Sequence, residues 1–305
     1  MRHKTALKFF LSLFVLTLFL TGCGFPGLSD TSDKNVNITS GVSTESQILA
    51  NIVSELLKHE TDYRTSILNN LGSSTLEHNA LSFNDADIMA TSYNGTDLTG
   101  FLQQPPVKDP AIATKLVNTQ LKNKHRQIRF PSYGFSDTYA FMVTQETAKK
   151  YHLNTVTDLS EIGPKLTAGV DSSWMARKGD GYEDFTKDYH FKFKSVYPMQ
   201  IGLVYDAVSA GKMPIVLGYS TDGRIQSYNL KILEDDKHFF PPYNCAPVAN
   251  EKFLKSHPDV SKLLHRLKGK ISVSTMQKLN FQADDRLEEP AVVARNFLAQ
   301  HNYFR

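Results

Sequence analysis

The feature that most constrains this chain is the regular exchange of strand-like runs for helix-like ones along nearly all of its 305 residues. Val36-Asn37-Ile38-Thr39 alternates with the period of a strand. Thr44 then opens a helix with Gln47 three residues on, a capping-box spacing. Ile48, Leu49, Ile52, Val53, Leu56 and Leu57 fall on one helical stripe. Further strands are predicted near 65–70, 87–91, 139–144, 167–170 and 215–219, and further helices near 74–81, 145–152 and 200–210. Asp109-Pro110 starts another helix, with proline where a missing N–H costs little. Past Tyr243 the chain reads as helical, with Pro258 and Pro290 at two helix starts. The alternation predicts an α/β protein with mostly parallel sheets. The length predicts two lobes, each burying its own core. No Pro/Gly-rich joint separates them, so lobes connected by crossing strands are expected.

The first 22 residues read differently. The chain has 34 Lys+Arg against 31 Asp+Glu, a formal charge of +3. Arg2, Lys4 and Lys8 account for that excess, and no acidic residue accompanies them before Cys23. The remainder is balanced, which disfavours generic nucleic-acid binding. Residues 9–20 carry no charge. As a helix they span about 18 Å at ~1.5 Å per residue, short of the ~30 Å hydrocarbon core. A signal peptide over residues 1–22 is therefore expected, with a short membrane anchor as the alternative. Leu20-Thr21-Gly22-Cys23 resembles the lipobox of bacterial lipoproteins. That resemblance implies cleavage before Cys23 and a diacylglycerol on its thiol. Residues 23–35 then form the lipidated cysteine and a small, polar, flexible tether. Cys245 is left without a cysteine partner and reads as a small buried residue.

The sequence lacks a Gly-x-Ser-x-Gly elbow, a phosphate loop and a His-Glu-x-x-His pair. His257 and His265 lie two turns apart on a lysine-rich stretch and read as solvated, so no metal and no cofactor is expected. Asp235-Asp236 and Asp284-Asp285 read as solvated loops, and Gly179-Asp180-Gly181 as a turn. A catalytic site assembled from residues distant in sequence stays open.

The chemistry that is present is aromatic. Thirteen tyrosines stand against one tryptophan, Trp174. Tyr93 ends a predicted strand and precedes Asn94-Gly95-Thr96-Asp97; Tyr219 ends another and precedes Ser220-Thr221-Asp222-Gly223. Tyr139 follows the loop Tyr133-Gly134-Phe135-Ser136-Asp137-Thr138, and Tyr243 follows Phe239-Phe240-Pro241-Pro242. Ligands of open α/β sheets bind at strand ends. A quaternary ammonium has no N–H to donate, so a protein holds it with ring faces. Any one tyrosine is more often a core-edge residue, and periodicity does not bring these four together.

Several longer stretches carry a family likeness. Asn70-Leu71-Gly72-Ser73-Ser74, Ala90-Thr91-Ser92-Tyr93-Asn94-Gly95-Thr96-Asp97-Leu98, Ser132-Tyr133-Gly134-Phe135, Thr138-Tyr139-Ala140-Phe141 and Arg177-Lys178-Gly179-Asp180-Gly181-Tyr182 are five of them. Met199-Gln200-Ile201-Gly202-Leu203-Val204-Tyr205-Asp206, Tyr219-Ser220-Thr221-Asp222-Gly223-Arg224 and Phe239-Phe240-Pro241-Pro242-Tyr243 complete the set. Together they resemble the substrate-binding lipoproteins of Opu-type osmoprotectant ABC importers.

The resemblance implies a two-lobed, type II periplasmic-binding-protein clamshell with two crossover strands. Residues 36–131 plus 234–305 would form the first lobe and 132–233 the second. It implies an inter-lobe aromatic cage of Tyr93, Tyr243, Tyr139 and Tyr219 for choline, carnitine or glycine betaine. Ser73, at a helix N-terminus that favours anions, and Thr96 would face a ligand carboxylate. Relatives restricted to choline carry Asp at the position of Thr96, so Thr96 implies a broader range. Gly41 departs from relatives that place there a Gln donating to the ligand carboxylate, a bond worth ~1.5–3 kcal/mol. Ser92 stands where some relatives carry Arg. The implied partners are permease subunits with a separate ATPase, the implied state a monomer. The implied location is the outer face of the cytoplasmic membrane of a Gram-positive bacterium, held by the lipid on Cys23.

Overall fold

The structure is a computed structural model that describes residues 34–302. The expected signal peptide, Cys23 and nearly all of the tether lie outside the described residues. The strands are β1 (Asn35–Gly41), β2 (Arg64–Leu71), β3 (Ile88–Tyr93), β4 (Gln127–Arg129), β5 (Tyr139–Thr144), β6 (Thr167–Asp171), β7 (Ser195–Met199), β8 (Ile215–Tyr219), β9 (Leu230–Ile232) and β10 (Cys245–Asn250). They form two five-stranded sheets, ordered β2-β1-β3-β10-β4 and β7-β6-β8-β5-β9, with helices between strands along the chain.

Both sheets are mixed, where mostly parallel ones were expected. β1 and β3 run parallel, as do β6 with β7 and with β8. β10 is antiparallel to β3 and β4, and β5 is antiparallel to β8 and β9. The reason lies in the connections. β5 and β10 are the strands on which the chain arrives from the other sheet. Each begins at the edge where β8 or β3 ends, and so runs back against it, pairing Tyr139 with Tyr219 and Cys245 with Tyr93. The connecting segments themselves meet at an antiparallel bridge, Ser136 with Asn244. There the Tyr243 amide donates to Ser136 Oγ at 3.0 Å.

β10 corrects the helical reading past Tyr243. Its Cys-Ala-Pro-Val-Ala stretch is buried throughout, so neither a period of two nor of 3.6 marks it. Pro247 argues against a central strand, and the register with β3 does shift between Ala246 and Val248, where that proline sits. The cap of the first helix also moves. Ser43, one residue earlier than expected, accepts from the Ser46 amide at 3.2 Å and the helix is Thr44–Glu60. Gln47 is not part of a capping box; its side chain donates to Asn70 Oδ1 at 3.2 Å. Asp235 is no solvated loop residue either. It accepts from the Phe239 and Phe240 amides at 3.0 and 2.9 Å and from the Tyr189 hydroxyl.

The predicted stripe Ile48, Leu49, Ile52, Val53, Leu56 and Leu57 is buried against the C-terminal helices through Val260, Met276, Val293 and Phe297. Each such side chain contributes about 1.5–3 kcal/mol. The second sheet has a separate, aromatic core of Phe141, Trp174, Phe185, Phe193, Phe239 and Phe240. Cys245, the first residue of β10, is fully buried, as expected of it.

Candidate functional site

The topology decides where the tyrosines go. Tyr93 is the last residue of β3 and Tyr219 the last of β8. Tyr139 is the first of β5, and Tyr243 stands two residues before β10. Forward strands end, and arriving strands begin, at the same sheet edges. All four tyrosines therefore line one cavity of about 450 Å³, together with Ser73 and Thr96. Every candidate named from sequence on the described residues is in that wall.

Three of the rings are held by their hydroxyls. Tyr93 donates to Glu45 Oε1 at 2.6 Å, and Asn280 Nδ2 donates to the other Glu45 oxygen at 3.0 Å. Tyr139 donates to Asp171 Oδ2 at 2.7 Å. Arg177 Nη2 donates to the Tyr243 hydroxyl at 2.7 Å. The Tyr139 and Tyr219 centroids are 5.2 Å apart with planes tilted by 44°. Gly95 lets the Tyr243 ring lie close, since a Cβ there would stand 2.7 Å from the Pro242 carbonyl oxygen and 2.9 Å from the ring.

These rings stay neutral phenols. Burial pushes Tyr93 well up, and the charge of Glu45 adds to the rise. Burial likewise raises Tyr139. Tyr243 is pushed up to about 12 by burial, although Arg177 pulls the other way. A phenol that donates a hydrogen bond gains electron density in its ring, so the acceptors Glu45 and Asp171 strengthen the negative faces of Tyr93 and Tyr139 toward a cation.

Three ionisable side chains in the wall went unmarked in the sequence reading: Arg177, Asp137 and Glu77. Arg177 Cζ lies 5.7 Å from the Tyr139 centroid. Its charge is compensated by Asp180, which accepts from Nε at 3.0 and 2.9 Å and faces Nη2 at 2.8 Å. The Arg-x-x-Asp spacing is the signal that could have found this pair. Asp137 is held well above the usual carboxylate range by burial, with Glu45 adding to the rise. It stands two residues before Tyr139, where the loop motif was already in view. Glu77 is an acid in the first turn of the helix Ser74–Phe83, a position that normally faces water and gives no signal.

Beneath Thr96 lies a buried charged layer. His78 Nε2 is 3.1 Å from Asp97 Oδ1, and its Nδ1 donates to Gln127 Oε1 at 2.6 Å. Asp97 also accepts from the Ser92 hydroxyl, which in turn accepts from Arg129 Nε at 2.9 Å. Ser73 caps its helix by accepting from the Leu76 amide at 3.3 Å. The earliest amides of that helix have no intrahelical acceptor, as in any helix.

Comparison with known proteins gives a consistent result. The sequence model of the OpuAC family, the substrate-binding domain of ABC-type glycine betaine transport systems, matches residues 34–300. The carnitine transport binding protein OpuCC of Listeria monocytogenes is 49% identical over 304 residues, 100% of this chain and 99% of that protein. A crystal structure described as a glycine betaine/carnitine/choline ABC transporter is 53% identical, with a TM-score of 0.86 over 88% of this chain and 100% of its own. Apo YehZ from Escherichia coli, 22% identical with a TM-score of 0.78 over 88% of this chain and 99% of its own, shares the fold.

Proposed function

The chain belongs to the OpuAC family of substrate-binding domains of ABC-type glycine betaine transport systems, and from that premise we propose that its cavity captures quaternary ammonium solutes: choline, carnitine and glycine betaine. It is a binding component of an importer and not an enzyme. The observation that carries the ligand class is the convergence of four tyrosines, two from each sheet or its connection, on one cavity. A trimethylammonium group offers no hydrogen to an acceptor but spreads its charge over methyl groups that fit ring faces. Each ring contributes ~0.5–2 kcal/mol when water is excluded. Thr96, Ser73 and the free amides of the helix behind Ser73 supply donors for a ligand carboxylate.

Residues 36–131 plus 234–305 act as one lobe and 132–233 as the other. A ligand that touches both lobes favours the arrangement in which both reach it, and so shifts the open-closed equilibrium. The closed form delivers the solute to permease subunits powered by a separate ATPase. A diacylglycerol on Cys23 holds this monomeric receptor at the outer face of the cytoplasmic membrane and raises its effective concentration at the permease.

Isothermal titration tests the ligand class. Choline and carnitine are expected to bind at about micromolar affinity or tighter. Tyr139→Ala or Tyr93→Ala weakens binding about tenfold or more, whereas the Phe variants lose less because the ring face survives. Unchanged affinity after alanine replacement at all four positions would sink the cage.

A further inference from the structure

Glu77 is the wall residue whose presence is hardest to explain in a site for carboxylated ligands. It is 4% exposed, yet it lines the cavity. One turn separates it from Ser73, so both belong to the same end of one helix. Its two oxygens are used differently. Oε2 accepts from the Thr39 hydroxyl at 2.7 Å. Oε1 points toward Gly41, another wall residue, and would lie 3.4 Å from a Cβ built there. While the Thr39 hydroxyl donates to Oε2, a proton on this carboxyl sits on Oε1, on the side of the wall residue Gly41.

We propose that Glu77 is a specificity residue: with its proton it donates a hydrogen bond to the carboxylate of a bound ligand, and without it repels that carboxylate and favours ligands that have none. The proposal rests on the ligand class given above. Burial pushes Glu77 up to about 7; the Thr39 hydrogen bond and the charge of His78 oppose this, and Asp97 adds to it. Those are the charged neighbours from its own helix and from the segment after β3. Behind them Arg129 of β4 is joined to Asp97 through Ser92, and β1 presents the Thr39 hydroxyl and Gly41, neither of them charged. Among the described residues, Asp137 and Arg177 are the other ionisable ones lining the cavity besides the tyrosines.

The experiment compares carnitine with choline by isothermal titration of the full chain in detergent, at about pH 5.5 and about pH 8.5. Both ligands keep a fixed charge over that range, because a free carboxylate titrates near ~4. Effects on the shared ammonium group cancel in the ratio of the two dissociation constants, and any effect of Asp137 or Arg177 on the ligand carboxylate persists in Glu77→Gln. The carnitine-to-choline ratio is expected to rise about tenfold from the lower to the higher pH. In Glu77→Gln, whose amide still donates, the ratio stays near its low-pH value at both.

A flat ratio in the unsubstituted chain overturns the proposal, and so does an undiminished rise in Glu77→Gln. The first of these needs no variant, so a folding defect in Glu77→Gln does not shelter the idea. If both ligands bind and the ratio is flat, only the role of Glu77 falls. If neither binds at either pH, the ligand class falls with it.

Discussion

Thr96 follows Tyr93 by three residues, on the short helical turn Asn94–Thr96 that continues β3, and its exposed side chain stands in the cavity wall. A carboxylate at that point would oppose a ligand carboxylate in a low-dielectric pocket, where like charges a few ångströms apart cost several-fold more than in water. Thr96→Asp is therefore expected to shift selectivity toward choline by about tenfold or more; an unchanged betaine-to-choline ratio in titration would show that Thr96 does not read the ligand's anionic end. The four tyrosines and Thr96 were legible in the sequence because strand ends are marked by turn residues, and the family likeness tied those ends together. Glu77 and Asp137 were not legible, because a buried carboxyl and a solvated one look alike until the surrounding chain is folded around them. Gly41 was legible as a departure. The structure adds that a Cβ there would meet Ser46 Oγ at 3.3 Å and Glu77 Oε1 at 3.4 Å, so the space is close but not closed to a side chain.

Among elements, the helix Ser74–Phe83 and the segment after β3 are joined by the His78–Asp97 contact, with Arg129 of β4 behind. Ser73 and Thr96 thus have a common support. Burial alone would raise Asp97 and lower His78. Their mutual attraction outweighs this, holding Asp97 below and His78 above their ordinary values. The stability from Asp97 is present above the carboxylate range and lost as pH falls through its folded value. That from His78 is full below its unfolded value of about 6.5 and lost as pH rises through its folded one. Asp97→Asn removes the anion that His78 and Arg129 share, so Arg129 stays buried facing a neutral amide while burial lowers His78. It should cost about 3–5 kcal/mol, measured by urea unfolding, with the acid-side slope flattened; a loss under ~1 kcal/mol would mean the layer is not held by charge. The strands missed in the sequence are instructive. β4, β7 and β9 lie at sheet edges and are three to five residues long, too short to show a period. The fourth, β10, is central but fully buried and interrupted by Pro247. Such strands are specified by their neighbours more than by their own pattern.

At the scale of the molecule, the alternation of strands and helices predicted the α/β class, while strand direction followed from the connections. Beyond those connections, the helix Val273–Asp284 reaches the turn after β8. Asn280 donates to the Thr221 carbonyl at 2.8 Å and Gln277 to the Ser220 carbonyl at 2.7 Å. The proposed lipid on Cys23 also belongs to this scale. Cys23→Ser should move the protein from the membrane fraction to the medium or leave it unprocessed, read by fractionation and mass. Full membrane retention of a processed serine variant would exclude the thioether anchor. The antiparallel arrival of β5 and β10 has one more consequence. Tyr139 opens β5 directly after one connection, and Tyr243 sits at the end of the other. In the proposed two-lobe arrangement those connections are the pivot, so two cage rings are mounted on the axle. The solute then works at the short arm of a lever: a displacement of less than its own width beside the pivot becomes a much larger travel at the distant rims, which is the movement a permease can feel.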